Sequence, residues 1–271
     1  ANLLTNYLKT DCSATRPVPG APRKASFSSR KTAAAGTPEA MTPSMHNFEE
    51  RAVLAAALAR AVASQLEAGI RARGVATLVV SGGSTPHGFF SHLSDVPLDW
   101  GSVTVTLADE RWVASDHEDS NARLVSERLL QGPAAAARFV PLFVDGLSPE
   151  DAEEALGAAV AALETFDAVV LGMGTDAHFA SLFPGAEALA AGLSIPSDRQ
   201  CLAVHPHHAP HARMSLSLAR LFDSRFRALH IVGDEKKRVL ERALASGDSS
   251  TYPIAAVFDA GRPSTELYWA P

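Results

Sequence analysis

The stretch VATLVVSGGSTPHGFFSHLSD (residues 75–95) changes character twice. A run of β-branched and apolar residues of strand length leads into a pair of glycines. Ser84, Thr85 and Pro86 then indicate the start of a helix, with Ser84 or Thr85 as its cap and Pro86 in its first turn. Because a strand, a glycine turn and a helix form the repeating unit of layered α/β folds, this stretch predicts that fold class.

The same alternation continues along the chain. Strand-like runs that end in Gly or Asp are separated by segments with the apolar spacing of helices. Residues 254–260 and 265–270 are predicted to be strands. We therefore predict a single Rossmann-like layered α/β domain over residues 46–271, with a mostly parallel sheet flanked by helices.

Composition limits the possible functions. The chain has 271 residues, 46% of them hydrophobic, and a net charge of −6, which fits one large domain and disfavours binding to nucleic acid. Cys12 and Cys201 lie far apart, which predicts inert thiols in a reduced compartment, namely the cytoplasm. No apolar run approaches the length of a membrane span, so we expect no membrane partner. We expect a monomer or a weak homodimer.

Residues 1–45 differ from the rest in composition. They are rich in Pro, Ser, Ala and Gly, and their Lys and Arg outnumber their Asp and Glu by six to two. This composition predicts disorder. It resembles an organellar transit segment, and the alternative is an extension or leader before a start near Met41 or Met45.

The SGGSTP motif is a candidate anion site. Gly82 and Gly83 would let backbone amides approach an anion, and Ser84 and Thr85 would add hydroxyl donors at a helix N-terminus. The motif lacks the GK[ST] ending of a P-loop, which disfavours a nucleotide triphosphate. An ordinary strand-to-helix turn explains the same residues, and spacing alone does not decide between the two.

Charged residues follow the next strand. Arg111 suits a phosphate or carboxylate, although an ion pair within Asp109–Arg111 is the simpler interpretation. The acidic stretch SDHEDSN (residues 115–121) is predicted to be a solvated turn with a helix cap, and not a metal site.

Four histidines lie in HPHHAPHARMS (residues 205–215), where the prolines favour an exposed loop. Metal binding is disfavoured there because no acid or cysteine completes a ligand set. Arg213, just past this run, and Lys236, at the start of a helix, are further candidate contacts for an anion. Lysines in such places are most often simply solvated.

The most specific motif is GMGTDAH (residues 172–178). His178 has an ordinary pKa near working pH and can act as a general base, and Asp176 can orient it or favour its protonated form. The motif lacks the third glycine of a dinucleotide fingerprint. Beside two candidate anion loops, it predicts a hydrolytic site.

Five motifs taken in order carry a family resemblance. SGGSTP, DERWVASDHEDSN, GMGTDAHFASLFPG, RMSLS and GDEKK, between Ser81 and Lys237, resemble the 6-phosphogluconolactonase family. The resemblance implies a fold shared with glucosamine-6-phosphate deaminase and ribose-5-phosphate isomerase. It also implies hydrolysis of 6-phospho-D-glucono-1,5-lactone to 6-phosphogluconate in the oxidative pentose phosphate pathway, with no metal and no cofactor.

The resemblance also assigns roles to individual residues. His178 would activate water with Asp176 beside it, and Arg213 and Lys236 would contact the phosphate. Arg111 or loop amides would stabilise the oxyanion. The positions implied to surround the substrate are Gly82, Gly83, Ser84, Thr85 and Arg111.

Two positions depart from the family pattern. Ala177 stands where Gly is usual, and its methyl would be strained if the position needs a positive φ. Phe179 replaces a small polar residue and is expected to narrow or dry the pocket. These departures leave a non-catalytic sugar-phosphate sensor as one alternative. A deaminase or isomerase of the same fold is the other, although Phe183 stands where the deaminases have a glutamate.

Overall fold

The computed structural model describes residues 44–259 and 264–271, and this part of the chain contains ten strands and eight α-helices. The strands are β1 (Met45–Asn47), β2 (Ala76–Val80), β3 (Val103–Leu107), β4 (Asp109–Arg111), β5 (Arg138–Val140), β6 (Ala168–Leu171), β7 (Cys201–Val204), β8 (Arg213–Leu216), β9 (Arg227–Val232) and β10 (Thr265–Ala270). The helices are α1 (Arg51–Arg73), α2 (His87–Ser94), α3 (Asn121–Arg128), α4 (Pro149–Ala161), α5 (Leu189–Leu193), α6 (Leu218–Phe222), α7 (Asp234–Ser246) and α8 (Ala255–Asp259).

Seven parallel strands form the main sheet, in the order β1-β10-β9-β6-β2-β3-β5. The predicted layered α/β class with a mostly parallel sheet is therefore confirmed. A second sheet was not predicted. It is antiparallel, has the order β4-β8-β7, and pairs Arg111 of β4 with Arg213 of β8.

The core lies between the main sheet and its helices. All five residues of β2 are buried, as expected for a central strand of a parallel sheet. Helix α1 packs against α2, β2 and β10 through a buried face that includes Leu54, Leu58, Val62 and Leu66.

Helix α1 contradicts one expectation from composition. It has 23 residues and enough apolar character to cross a membrane by length and composition alone, whereas no run of that length was expected. Its contacts with the sheet account for this composition, because core helices of folded domains pass the same test.

Two local predictions were wrong. Residues 254–260, predicted as a strand, include helix α8, and a short apolar run does not distinguish a buried helix from a buried strand. Helix α2 begins at His87 with Pro86 in the N-cap position, so neither Ser84 nor Thr85 caps it. In contrast, the helix cap predicted within residues 115–121 is present: Ser120 caps α3, and its side chain accepts a hydrogen bond from the Arg123 amide.

The predicted N-terminal extension lies almost wholly outside the described residues. Of residues 1–45, the structure describes only Ser44 and Met45. Met45 belongs to β1 and pairs with Leu267 of β10, so the sheet includes one residue that the predicted boundary had assigned to the extension.

Cys201 behaves as predicted. It is buried in β7, and burial raises the pKa of its thiol to about 12, so the thiolate is scarce near neutral pH. Cys12 lies outside the described residues.

The strand order determines where a ligand can bind. Strands β9, β6, β2 and β3 are neighbours, and because they are parallel, their carboxyl ends lie along one edge of the sheet. Ligands of open α/β sheets bind outside such an edge.

Candidate active site

A cavity of about 220 Å³ opens at this edge. Its wall combines the turns after β2 and β6 with side chains from β4, β9 and α7. Seven of the nine predicted site residues line it, namely Gly82, Gly83, Ser84, Thr85, Arg111, His178 and Lys236. The other two do not line the cavity themselves. Asp176 is hydrogen-bonded to His178, and Arg213 lies opposite Arg111 in the β4–β8 pairing.

The turn after β6 brings Asp176 and His178 together. The Gly174 amide donates to the His178 carbonyl at 2.9 Å, and the Ala177 amide donates to the Gly174 carbonyl at 3.1 Å. A side chain at Gly174 would collide with the His178 ring, so the glycine is required by this close approach. The glycine-rich sequence therefore serves to fold His178 back over the turn.

Asp176 and His178 form a hydrogen-bonded pair. Oδ1 of Asp176 lies 2.5 Å from Nδ1 of His178. Burial acts to raise the pKa of Asp176, but the hydrogen bond with His178 and the attraction between the two groups outweigh it and lower that pKa. An ionised Asp176 that accepts from Nδ1–H leaves Nε2 as the nitrogen that can accept a proton.

The two departures from the family pattern have different outcomes. Ala177 has φ of +66°, so the predicted strain at this position is present. Phe179 is fully buried and does not line the cavity, so the expectation that it narrows or dries the pocket is wrong. Phe183 lies next to the site instead, with its ring centroid 4.2 Å from that of His178.

The glycine turn after β2 faces the cavity for two separate reasons. Gly82 is needed because a Cβ there would collide with the side-chain amide of Asn121. Gly83 has φ of +89° with open space around it, so its requirement is conformational. Neither Ser84 nor Thr85 is the N-cap of α2, and both line the cavity, where their hydroxyl groups can meet a ligand.

The predicted ion pair within Asp109–Arg111 does not form. Glu110 is fully buried and accepts hydrogen bonds from the amides of Asn121 at 2.8 Å and Ala122 at 2.7 Å. Its burial raises the pKa of the carboxyl group, which these amide donors oppose. The Asp109 carboxylate accepts from Ser181 Oγ at 2.6 Å, so both acids are engaged elsewhere and neither neutralises the Arg111 side chain.

Arg111 is held by the loop before α3. Its Nη1 donates to the Asp119 carbonyl at 2.6 Å, while the Asp119 carboxylate lies 2.9 Å from Nε2 of His211. This hydrogen bond with His211 lowers the pKa of Asp119. The segment predicted as a solvated turn therefore also anchors a residue of the cavity wall.

The two histidine-containing loops meet, which the sequence did not predict. Ligating atoms of His117, Asp119 and His211 lie within 4.8 Å of one another, a spacing from which a metal ion could be bound. Asp119 thus supplies an acid that the histidine loop itself lacks. The charge of Arg111, which acts on Asp119, opposes a cation here.

Arg213 adds positive charge beside the cavity. It is buried, it lies opposite Arg111 in the β4–β8 pairing, and its Nη1 donates to the His211 carbonyl at 3.3 Å. Burial and the neighbouring charge of Arg111 lower the pKa of Arg213. An anion bound near the two guanidinium groups would relieve their repulsion.

The two consecutive lysines of α7 have different environments. Lys236 lines the cavity, and burial lowers its pKa. Lys237 points to Trp269 instead, with Nζ 3.8 Å from the ring centroid. Of the two lysines, Lys236 is therefore the one placed to contact a ligand in the cavity.

Sequence reasoning missed four polar residues of the cavity wall, namely Ser81, Asp109, Asn121 and His230. Asp109 and Asn121 belong to the DERWVASDHEDSN motif, in which Arg111 carries the more distinct signal for an anion. Ser81 Oγ is buried without a hydrogen-bond partner among the described residues. His230 lies inside the apolar run of β9, where no local signal marks it.

Comparison with known proteins places the chain in a family. The family described as glucosamine-6-phosphate isomerases/6-phosphogluconolactonase matches residues 49–269. The chain belongs to this family. The family membership that the five motifs had suggested is therefore confirmed.

Relatives match this family member over nearly their whole length. A 6-phosphogluconolactonase from Mesorhizobium japonicum is 48% identical over 225 residues, which are 83% of this chain and 94% of the relative. A 6-phosphogluconolactonase from Rhizobium meliloti is 44% identical over 232 residues, which are 85% of this chain and 100% of the relative.

Solved structures of the family have the same fold. A 6-phosphogluconolactonase from Shewanella baltica aligns with a TM-score of 0.80 at 40% identity and covers 86% of this chain and 99% of its own. A monomeric glucosamine-6-phosphate deaminase aligns with a TM-score of 0.71 at 17% identity, over 84% of this chain and 97% of its own. The second likeness concerns the fold alone.

Proposed function

We propose that this chain hydrolyses 6-phospho-D-glucono-1,5-lactone to 6-phosphogluconate, a step of the oxidative pentose phosphate pathway. The observation that carries the proposal is the Asp176–His178 pair beside a cavity that also contains Arg111 and Lys236. The pair suits the activation of water, and the cations suit an anionic substrate. Family membership and the near full-length match to named lactonases support the same choice.

His178 acts as the general base in this proposal. Its Nε2 takes a proton from water as the oxygen attacks the acyl carbon of the lactone. Asp176 holds Nδ1–H and stabilises the imidazolium that forms. When the tetrahedral intermediate collapses, the bond to the ring oxygen breaks, and that oxygen receives the proton to become the free hydroxyl group.

The carbonyl oxygen gains negative charge in the attack. The donors available to it are the Arg111 guanidinium and the amides of the glycine turn, which line the cavity. A positioned base contributes about 10²–10⁴-fold, and oriented oxyanion donors contribute a comparable factor. A lactone is already electrophilic, so the proposal requires no cofactor and no metal.

The phosphate group is proposed to bind where further cations and hydroxyl donors of the site lie. Lys236 supplies a charge inside the cavity, Ser84 and Thr85 supply hydroxyl donors, and Arg213 adds charge beside Arg111. These groups favour the phosphorylated lactone over the free lactone, because Asp109 is the one carboxylate among the described residues that line the cavity, and it is hydrogen-bonded to Ser181.

The environment of His178 disfavours the deaminase alternative. Phe183, which stands where the deaminases have a glutamate, places an aromatic ring against His178 instead of a second carboxylate beside that of Asp176. The sensor alternative is disfavoured by the intact Asp176–His178 pair, because a binding protein has no use for a group that activates water.

The test is turnover. Freshly generated 6-phosphogluconolactone should be hydrolysed well above its spontaneous rate, and glucosamine 6-phosphate should release no ammonia. Binding of 6-phosphogluconate without any rate above background would support the sensor, and release of ammonia would support the deaminase.

A further inference from the structure

His230 is a buried polar residue on the wall of the cavity that the mechanism above does not use. It lies in β9, it is 4% exposed, and it lines the cavity. Its ring meets the edge of Phe89 of α2, with centroids 6.3 Å apart and planes at 79°. None of the hydrogen bonds among the described residues involves its ring nitrogens.

A polar group inside a folded protein is costly unless it finds a hydrogen-bond partner, and the ring nitrogens of His230, which are not among the fully enclosed atoms without a partner, are open to the cavity that the residue lines. An apolar residue would fill this place in β9 at no such cost, since the neighbouring residues Leu229 and Ile231 are fully buried and apolar. The cavity is where a partner for the His230 ring can come from.

The charge state of His230 determines which hydrogen bonds its ring can make with a ligand. Burial, together with the charge of Lys236, lowers its pKa to about 4. At neutral pH the ring is therefore uncharged, with one N–H donor and one acceptor nitrogen. It provides a directional hydrogen bond, whereas Lys236 provides charge.

The neighbours of His230 indicate which part of a ligand it faces. Its ring contacts α2, the helix that follows the glycine turn. The charge of Lys236, at the start of α7, helps to lower its pKa. Both elements belong to the side of the cavity where the phosphate is proposed to bind.

We propose that His230 is a specificity-determining residue that donates a ring N–H hydrogen bond to the phosphate monoester of the substrate. This inference rests on the proposed function for the identity of the ligand. It adds an uncharged donor to the cations and hydroxyl groups at that site. Because the contact is the same in ground state and transition state, its loss weakens binding and leaves the chemical step unchanged.

The variants must separate hydrogen bonding from packing. His230→Phe keeps an aromatic ring against Phe89 and removes the donor, and His230→Gln keeps a donor and removes the ring. Lys236→Met serves as the reference for loss of a phosphate contact.

Two measurements test the proposal. Binding of inorganic phosphate and of 6-phosphogluconate by calorimetry requires no turnover, so it is independent of whether the lactonase proposal holds. We expect His230→Phe to weaken both ligands about tenfold, the effect of one lost hydrogen bond, and His230→Gln to recover much of the loss. In kinetics, KM for the phosphorylated lactone should rise with kcat unchanged, and unphosphorylated glucono-1,5-lactone should show no difference.

Wild-type phosphate binding by His230→Phe, beside weakened binding by Lys236→Met, would overturn the proposal. So would equal losses on both lactones. If the variants do not fold, ring-nitrogen NMR of the wild type decides, since added phosphate or 6-phosphogluconate must shift one buried, neutral histidine. No shift would contradict the contact. Phosphate binding through His230 without lactone hydrolysis would contradict the proposed function alone.

Discussion

Asp176 and His178 make a side-chain hydrogen bond of 2.5 Å across a single intervening residue, Ala177, which has φ of +66°. The left-handed conformation reverses the backbone within one turn and so brings the two side chains to the same side. The Ala177 carbonyl accepts from the Ile254 amide at 3.0 Å, which helps to hold this turn. The pairing thus depends on a strained backbone.

Asp176→Asn should lower kcat while KM changes little. An amide can present its NH₂ to Nδ1, which favours the wrong tautomer and cannot stabilise an imidazolium. Because Asp176 is about half exposed, we expect a loss of about 10- to 10³-fold, smaller than for a buried triad acid. Steady-state kinetics, with the exposed Asp198→Asn as the control, measure it. A kcat within about twofold of wild type would contradict the role given to Asp176.

Gly174→Ala should cost much more activity than Gly172→Ala. A Cβ at 174 collides with the His178 ring, whereas a Cβ at 172 meets only Ser81 Cβ at 3.9 Å, an ordinary contact. A displacement of the base by about 1 Å costs about 10²-fold, so we expect that loss for Gly174→Ala and a change below about threefold for Gly172→Ala. Kinetics combined with thermal unfolding separate this from misfolding. Equal effects at the two positions would contradict the geometry of the turn.

The neighbouring lysines should separate binding from stability. Lys236→Met removes a charge from the cavity and should raise KM about tenfold or more. Lys237→Met removes the contact with Trp269 and should lower the free energy of unfolding by about 0.5–1 kcal/mol with kinetics unchanged. Kinetics and urea unfolding of both variants check this. A change in stability alone for Lys236→Met, or a raised KM for Lys237→Met, would contradict these roles.

His230 should make stability depend on pH. Burial lowers its pKa from 6.5 to about 4, so between these values the folded state binds fewer protons than the unfolded state. The free energy of unfolding therefore falls as pH falls through this window, by about 3 kcal/mol in total. Urea unfolding at pH 7 and at about pH 4.5 should show a larger loss in wild type than in His230→Phe. Parallel losses would show that His230 is not buried in the neutral form.

Much of the fold could be predicted because its signals are local. The apolar run 76–80 followed by glycines marks a buried parallel strand, and Ser120 marks a helix start. Helix α8 and the second sheet could not be predicted in this way. A short apolar run such as residues 254–260 fits a buried helix as well as a buried strand. Strands β4 and β8 are too short to show the alternation of apolar and polar residues that marks a strand, and they pair only through contacts distant in sequence, such as Arg111 with Arg213.

The site was predictable only where function and local structure use the same residues. His178 lies beside a glycine turn and Lys236 lies at a helix start, so the neighbouring sequence indicates both as candidate site residues. Asn121 and His230 have no such local signal. Asn121 packs against Gly82 and His230 packs against Phe89, and both contacts join residues that are distant in sequence. The meeting of Asp119 with His211 is another long-range contact without a local signal.

The most direct test of the account compares wild type with His178→Ala in the hydrolysis of freshly generated 6-phosphogluconolactone, measured against the spontaneous rate. The enzymatic rate of His178→Ala should fall by about 10²–10⁴-fold while 6-phosphogluconate still binds. A variant that keeps wild-type turnover would show that His178 is not the base and would contradict the central claim.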